Sequence, residues 1–336
     1  MPSPSLNASL WREIHMAAGQ GDGGNSASHA YYREIVRQMM FANGDLEDPI
    51  PTCIDMVLDM AKFQMVKALE DAWQKAQAEK RDTIMLEDVL VLFKHHKFIL
   101  NRLLQFARTA ESVNELKRAA PRTAKLDEER EEGSDQEDNA VPSTSMFDTS
   151  LTRMKAVVDS LNLGETADQL LETRDVVYEE RKKRIAHLGD DMSQDEFLKF
   201  TEARQATFRD DSKQRTKLKN ESGNLFQWLG APQCENVVSF VLAFIGREVV
   251  AQYVGAAVAI RDNEEPNLFV NDNQHGQIAA PNEKVPLQVR HYNEALRRCI
   301  GWRRRKDFLF GYHTEDEECT PAKKLKSEDG EASQPP

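Results

Sequence analysis

Apolar side chains return at steps of three and four from Tyr31 onward, and they do so in two similar blocks. In YYREIVRQMMFANG, Ile35, Val36, Met39 and Met40 share one face and Asn43-Gly44 supplies a stop, so the spacing predicts a short helix. The two prolines of DLEDPIP forbid a helix interior there and suit the entry to the next helix. From about Pro51 to Lys80, Ile54, Leu58, Ala61, Met65, Ala68, Leu69, Ala72 and Ala76 form one continuous stripe, uninterrupted by Gly or Pro. A helix of that length exceeds the globular norm, and its stripe needs another long helix to cover it. RDTIM then leads to a short helix, LEDVLVLFKHH, and to a further striped helix, KFILNRLLQFARTA.

The second block begins near Ser193. SQDEFLKFTEARQATF reads as a helix with Ser193 as N-cap and Glu196 completing a capping box. The basic loop KQRTKLKNESGN leads to LFQWLG, and Cys234 to Asp262 then reads as a second long helix, apolar nearly all round, which implies deep burial. Arg247 and Glu248 interrupt its middle, where a membrane span tolerates charge least, so a buried helix is expected and no membrane association. After the polar stretch RDNEEPNLFVNDNQHGQIAAPNEK, VPLQVRHYNEALRRCIGWRR gives a short strand-like piece and a short helix. A short-long-short helical pattern therefore occurs twice. The expected division is a disordered N-terminus (1–30), a first unit with an extra C-terminal helix (31–110), an acidic linker with weak helices (111–192), a second unit (193–312) and a disordered tail (313–336).

Composition narrows the function. The 336-residue chain carries a formal net charge of −12, the wrong sign for coating DNA, so direct DNA binding is not expected. The four cysteines show no paired spacing, which fits a reducing compartment and gives no zinc knuckle. GQGDGG, Gly19 to Gly24, matches a dinucleotide fingerprint in letters, but lacks the preceding strand that the chemistry requires. His95 and His96 are adjacent and diverge on a helix, and the densest carboxylates, Asp127 to Asp138, lack apolar walls to shift their acidity. No nucleophile has a nameable base. An enzyme is not expected, nor a cofactor, a metal or a small-molecule substrate.

A three-helix unit cannot bury its own long helix, and the economical solution is two units crossed head to tail, long helix over long helix. The connection after each long helix then pairs with the one before the partner's. At this point RDTIMLEDV resembles the histone fold, a family in which an Arg of the second connection reaches an Asp in the first turn of the last helix. Arg81 and Asp88 fill those places as a structural pair, with Asp88 also favoured by the helix N-terminus. The second block lacks the signature: aligning Val289 with Ile84 puts Pro286 in the place of Arg81 and Asn293 in that of Asp88.

Two such units in one acidic chain resemble the Spt-three family, the histone-fold transcription initiation subunit of the SAGA coactivator complex. The likeness is carried by the Arg81–Asp88 motif, FLKFTEARQATF with FQWL, NVVSFVLAFIGREVVAQYV and VRHYNEALRR, and covers most of Tyr31 to Arg305. It implies an all-α fold in which two histone folds pack as an intramolecular pseudo-dimer. It also implies a nuclear, non-catalytic role: binding TATA-binding protein, helping deliver it to RNA polymerase II promoters, and packing against other histone-fold and scaffold subunits of a SAGA-type complex. The rival reading is a histone-fold subunit of a general initiation factor or other chromatin complex, pairing with histone-fold proteins in trans. Glu248 has two readings: paired with Arg247 inside the helical pair, or facing a partner as an acidic contact for TATA-binding protein. Arg303, Arg304 and Arg305 read as a nucleic-acid patch or as a solvated basic helix end, and Lys323, Lys324 and Lys326 in PAKKLKSED resemble a nuclear import signal.

Overall fold

The computed structural model describes residues 24–119, 150–162, 164–190, 192–209, 224–263 and 286–311. In chain order the helices are α1 (Gly24–Ala42), α2 (Pro51–Ala78), α3 (Leu86–Leu90, extended by a 3-10 turn Val91–Phe93), α4 (Lys97–Ala119), α5 (Ser150–Ser160), α6 (Ala167–Glu172), α7 (Val176–His187), α8 (Gln194–Ala203), α9 (Leu225–Leu229), α10 (Asn236–Asn263), α11 (Val289–Arg298) and α12 (Ile300–Arg305). Every regular element among the described residues is helical, as expected of the histone fold. Residues 1–23 of the expected disordered N-terminus and the tail beyond 311 lie outside the described residues, as do the carboxylates Asp127 to Asp138.

The long helices α2 and α10, each of 28 residues, are the two that the apolar stripes demanded, and they pack against each other. Pro51 opens α2 where its missing N–H costs nothing, and all eight residues of the expected stripe are buried. On α10, 78% of the most apolar window is buried inside the protein; by length and composition alone it could cross a membrane, and here it is a core helix. Gly246 on α10 lets α2 and its neighbours come close: a Cβ there would lie 2.9 Å from the Phe208 ring and 3.0 Å from Met65 Sδ. Phe208 has no room to yield, being buried against Tyr32 (centroids 6.0 Å) and Trp228 (6.4 Å).

The last described residues return to the first unit. The Gln64 amide, fully buried on α2, donates to Asp307 Oδ1 (3.0 Å), and its carbonyl oxygen accepts from the backbone N–H of Phe308 (3.0 Å) and Leu309 (3.4 Å). Phe310 then stacks edge-on against Phe93 at 5.0 Å. Gly301 and Gly311 face each other across this hook, where a Cβ on Gly301 would come within 2.6 Å of the Asp307 carbonyl oxygen.

Two expected boundaries move. α1 begins at Gly24, seven residues before the apolar periodicity becomes visible at Tyr31. α4 runs to Ala119 rather than ending near residue 110. Within the expected linker, α5 and α6 pack on α4 through Leu151, Met154, Val158, Ala167 and Leu170, all buried. Their apolar positions are too few per helix to stand out as a stripe, and they are covered because α4 supplies the opposing face.

Gly246→Ala would gain up to about 1 kcal/mol of helix propensity on an open helix; in this crowded place a larger side chain reverses the sign. We expect Gly246→Val to lower stability by about 1–3 kcal/mol, read as a drop in the urea midpoint. An unchanged midpoint would mean that Phe208 can leave its aromatic neighbours at no cost.

Candidate functional site

The connection after α2 is shaped by one forked pair. Arg81 Nη1 donates to Asp88 Oδ2 at 2.8 Å and Nη2 to Asp88 Oδ1 at 2.7 Å, while Nη2 also reaches Glu79 at 2.7 Å. The Asp88 side chain is fully buried and its Oδ2 also accepts the Met85 N–H at 2.9 Å, capping α3. Burial raises the Asp88 pKa, but the Arg81 fork, the Met85 N–H and nearby Lys75 outweigh it and leave the carboxyl below its ordinary value. With the fork closed, Ile84 runs extended and forms a parallel bridge with Cys234: its N–H donates to the Gln233 carbonyl (2.9 Å) and its carbonyl accepts from Glu235 (3.0 Å). Glu235 in turn accepts from the Leu86 N–H (3.3 Å) and pairs with Arg153 of α5. The connection after one long helix thus meets the connection before the other.

At the opposite end the correspondence is shifted from the one expected. Leu287, not Val289, stands where Ile84 does: it is fully buried, its N–H donates to Asp45 Oδ1 (3.2 Å), and its carbonyl accepts from Cys53 Sγ (3.5 Å). His291 rather than Asn293 takes the place of Asp88, its Nδ1 accepting the Gln288 N–H at 3.0 Å as Asp88 accepts that of Met85. Val289 is 37% exposed, which an inward connection residue is not. The two-residue slip arose because Val289 is the more β-branched apolar candidate, while the buried Leu287 follows a proline that gives no helical cue.

Glu248 is the largest correction. It is 4% exposed and faces the interior, so it offers no contact to an outside protein. Arg102 of α4 donates to its Oε1 at 2.6 Å, Arg181 of α7 forks onto it at 3.0 and 2.7 Å, and Gln252 adds 2.9 Å. Arg102 also bonds Asp175 at 2.7 Å, and Asp175 caps α7 through the Tyr178 N–H at 2.9 Å. The bond network joins α4, α7 and α10. Burial pushes the Glu248 pKa up, but Arg181, Arg102 and the Gln252 amide more than offset it, so the carboxyl stays ionised below its ordinary range. Spacing could not have named these partners, since Arg102 and Arg181 lie 146 and 67 residues away in sequence. The Asp175-Val-Val-Tyr cap was the local signal available.

Arg247 does not pair with Glu248. It is exposed and lines, with Glu248, a cleft of about 310 Å³ between α1, α4, α7, α8 and α10, its guanidinium 5.4 Å from the Phe106 ring centroid. Crowding by the cleft walls lowers its pKa, and neighbouring Arg181 and Arg204 lower it further, against smaller help from Tyr178 and Glu248. Arg303, Arg304 and Arg305 are exposed at the end of α12, where the helix dipole favours cations. Lys323, Lys324 and Lys326 lie outside the described residues, as does all but the last residue of GQGDGG. Among the described residues no cluster of His, Cys, Asp and Glu is arranged to hold a metal.

Residues 29–121 match the family model for the transcription initiation factor IID 18 kDa subunit. Over 299 residues the chain is 24% identical to a Schizosaccharomyces pombe protein named SAGA complex subunit Spt3, covering 80% of this chain and 89% of that one. It is 23% identical over 259 residues to the Saccharomyces cerevisiae protein named SAGA complex subunit SPT3, 70% of this chain and 74% of that one. A Kluyveromyces lactis protein named Protein SPT3 is 33% identical over 89 residues, 26% of each chain.

Two outcomes follow from the paired charges. Asp88→Lys should lower the melting midpoint by setting two cations together in a buried turn, and Arg81→Asp in the same chain should recover part of the loss; a double variant no better than the single would mean the fork does not act as a pair. Glu248→Lys should also melt earlier, and Glu248→Ala should cost about 3–5 kcal/mol because two guanidiniums lose a buried partner. The folded pKa of Glu248 lies below the ordinary 4.5, so its contribution is complete above that value and lost as pH falls through the folded pKa. Acid titration of Glu248→Gln should therefore show a shallower fall in stability below pH 4.5 than the unsubstituted chain.

Proposed function

Since the chain is a relative of the Spt-three family over most of its length, we propose that it is a non-catalytic coactivator subunit of a SAGA-type complex, acting in the nucleus. It binds TATA-binding protein and helps deliver it to RNA polymerase II promoters, and it packs against other histone-fold and scaffold subunits. The observation that carries this reading is that one chain supplies both long helices and both paired connections. Such a chain uses its own second unit where a single histone fold recruits another protein. Similarity to proteins named as SAGA subunits extends across both units. Val176 and Val177 on α7 and Phe197 and Leu198 on α8 are exposed, apolar surface of the kind that subunit packing covers.

With Glu248 in the interior, the acidic contact for TATA-binding protein has to come from other carboxylates. A second reading is favoured by the match of residues 29–121 to an initiation factor IID subunit: a general initiation factor component whose units pair in trans. That match spans the first unit and leaves α10 without an account, so we place it second.

Purified full-length chain should form a one-to-one complex with purified TATA-binding protein by calorimetry and size exclusion. Tagged chain isolated from nuclei should carry SAGA-type scaffold subunits. Isolation with initiation factor IID subunits alone, and no direct binding of TATA-binding protein, would select the second reading.

A further inference from the structure

The joint between α11 and α12 is basic out of proportion to the chain that carries it. In a protein of net charge −12, residues 297–306 hold Arg297, Arg298, Arg303, Arg304, Arg305 and Lys306, all exposed, and no carboxylate. The carboxylates at the borders of this segment are already engaged. Glu294 accepts from Arg297 at 2.5 and 2.7 Å and from Arg298 at 2.7 Å, so one anion serves two cations. Asp307 is buried, bonded to Gln64 and 3.6 Å from Lys67. A helix C-terminus offers only about half a negative charge, too little for the unbroken run of cations from Arg303 to Lys306. Cations crowded in this way repel one another, and an opposite charge brought alongside lowers their energy.

The chain itself brings that charge. The hook sets Gly311, the last described residue, against Gly301 at the start of α12, where a Cβ on Gly311 would lie 2.7 Å from the Gly301 Cα. The sequence then continues YHTEDEE, Tyr312 to Glu318, with the successive carboxylates Glu315, Asp316, Glu317 and Glu318. A chain covers at most about 3.3–3.6 Å per residue, which keeps these carboxylates within roughly 13–25 Å of Gly311, while the six-residue α12 is only about 9 Å long. As many anions as there are cations from Arg303 to Lys306 are thus tethered beside them. A short tether holds its end at an effective concentration on the order of millimolar. The acidic run Asp127 to Asp138 is joined to the fold at α4 instead, and a separate polyanion has no tether at all.

We propose that the acidic run Glu315–Glu318 seats on the basic joint formed by Arg303, Arg304, Arg305 and Lys306 and keeps it closed to other polyanions, nucleic acid included. Each molecule makes this cover for itself, whatever assembly the chain joins.

Zero-length carbodiimide coupling of the full chain, mapped by mass spectrometry, tests the seat, because it links an amine only to a carboxylate in contact with it. Lys306 should couple to Glu315–Glu318 of the same chain. The yield should fall at least about fivefold in the double variant Arg303→Glu/Arg304→Glu, as loss of about two exposed ion pairs predicts. It should fall likewise in about 1 M salt, where charges are screened beyond about 3 Å. Both positions are exposed, and Arg303→Gln/Arg304→Gln should act in the same direction if the Glu pair melts early. Equal coupling in the variants would be that of an unseated neighbour and overturns the proposal. Coupling of Lys306 to Asp127–Asp138 or to a second chain, or no coupling, overturns it too. The cover is read by anisotropy with a fluorescein-labelled DNA duplex of about 20 base pairs as the polyanion probe. Glu315→Gln, Asp316→Asn, Glu317→Gln and Glu318→Gln together should tighten its binding about tenfold or more at low salt, and Arg303→Glu/Arg304→Glu in the same chain should remove the gain. Changing Glu128, Glu129, Glu131 and Glu132 to Gln alters the net charge equally and should leave binding near that of the unsubstituted chain. An equal gain from that control would make the effect one of overall charge, and no gain from the Glu315–Glu318 amides would mean that nothing is uncovered; either result sinks the cover.

Discussion

The structure depends on one constraint: a 28-residue helix with an apolar face along its whole length cannot be covered by helices of five or ten residues. Only another helix of its own length will do, and α10 is that helix for α2. The rest of the architecture follows from letting these two approach closely. Small residues recur along both helices, Ala61, Ala68 and Ala72 on one and Ala243, Gly246 and Ala257 on the other, all buried, and Gly246 lies against Met65 of α2. The two ends of the crossing are then closed by connections that meet in pairs, Ile84 with Cys234 and Leu287 with Asp45.

Charge has a different job at each level of this arrangement. The Arg81–Asp88 fork acts locally, fixing the exit of a connection and capping the helix that follows. Glu248 acts at long range, gathering Arg102 and Arg181 so that α4 and α7 are held to the crossing by a buried ionic node. Buried ion pairs add little net stability compared with apolar packing, but they penalise every arrangement that leaves a charge unmatched. Here they give register to α7, a helix with no buried residue of its own.

What could be read from the sequence was whatever repeats along one helix. The α2 stripe, the uniform apolarity of α10 and the seven-residue spacing of Arg81 and Asp88 are local patterns, and each lies where the pattern placed it. The Ser193–Glu196 capping box is likewise formed, the Ser193 N–H donating to Glu196 at 2.9 Å. What resisted reading depends on partners supplied from elsewhere. Glu248 is open to two readings, an interior pair or a partner contact, until Arg102 and Arg181 arrive from remote parts of the chain. The second connection slipped by two residues because its fixed points, Asp45 and Cys53, belong to the first unit. The weak helices expected in the linker gain their order as α5 and α6 by packing on α4, which lies outside the segment that spells them.

The hook at the C-terminal end carries a temporal consequence. Gln64 finds its partner Asp307 only after another 243 residues have followed it. At ordinary elongation rates of about 5–20 residues per second, that interval is roughly 12–50 s. For most of it, until α10 has been made, the face of α2 that the crossing covers has no helix of its own length to lie against. A newborn chain of this design therefore carries uncovered apolar surface through most of its synthesis, the condition in which nascent chains are most prone to aggregate.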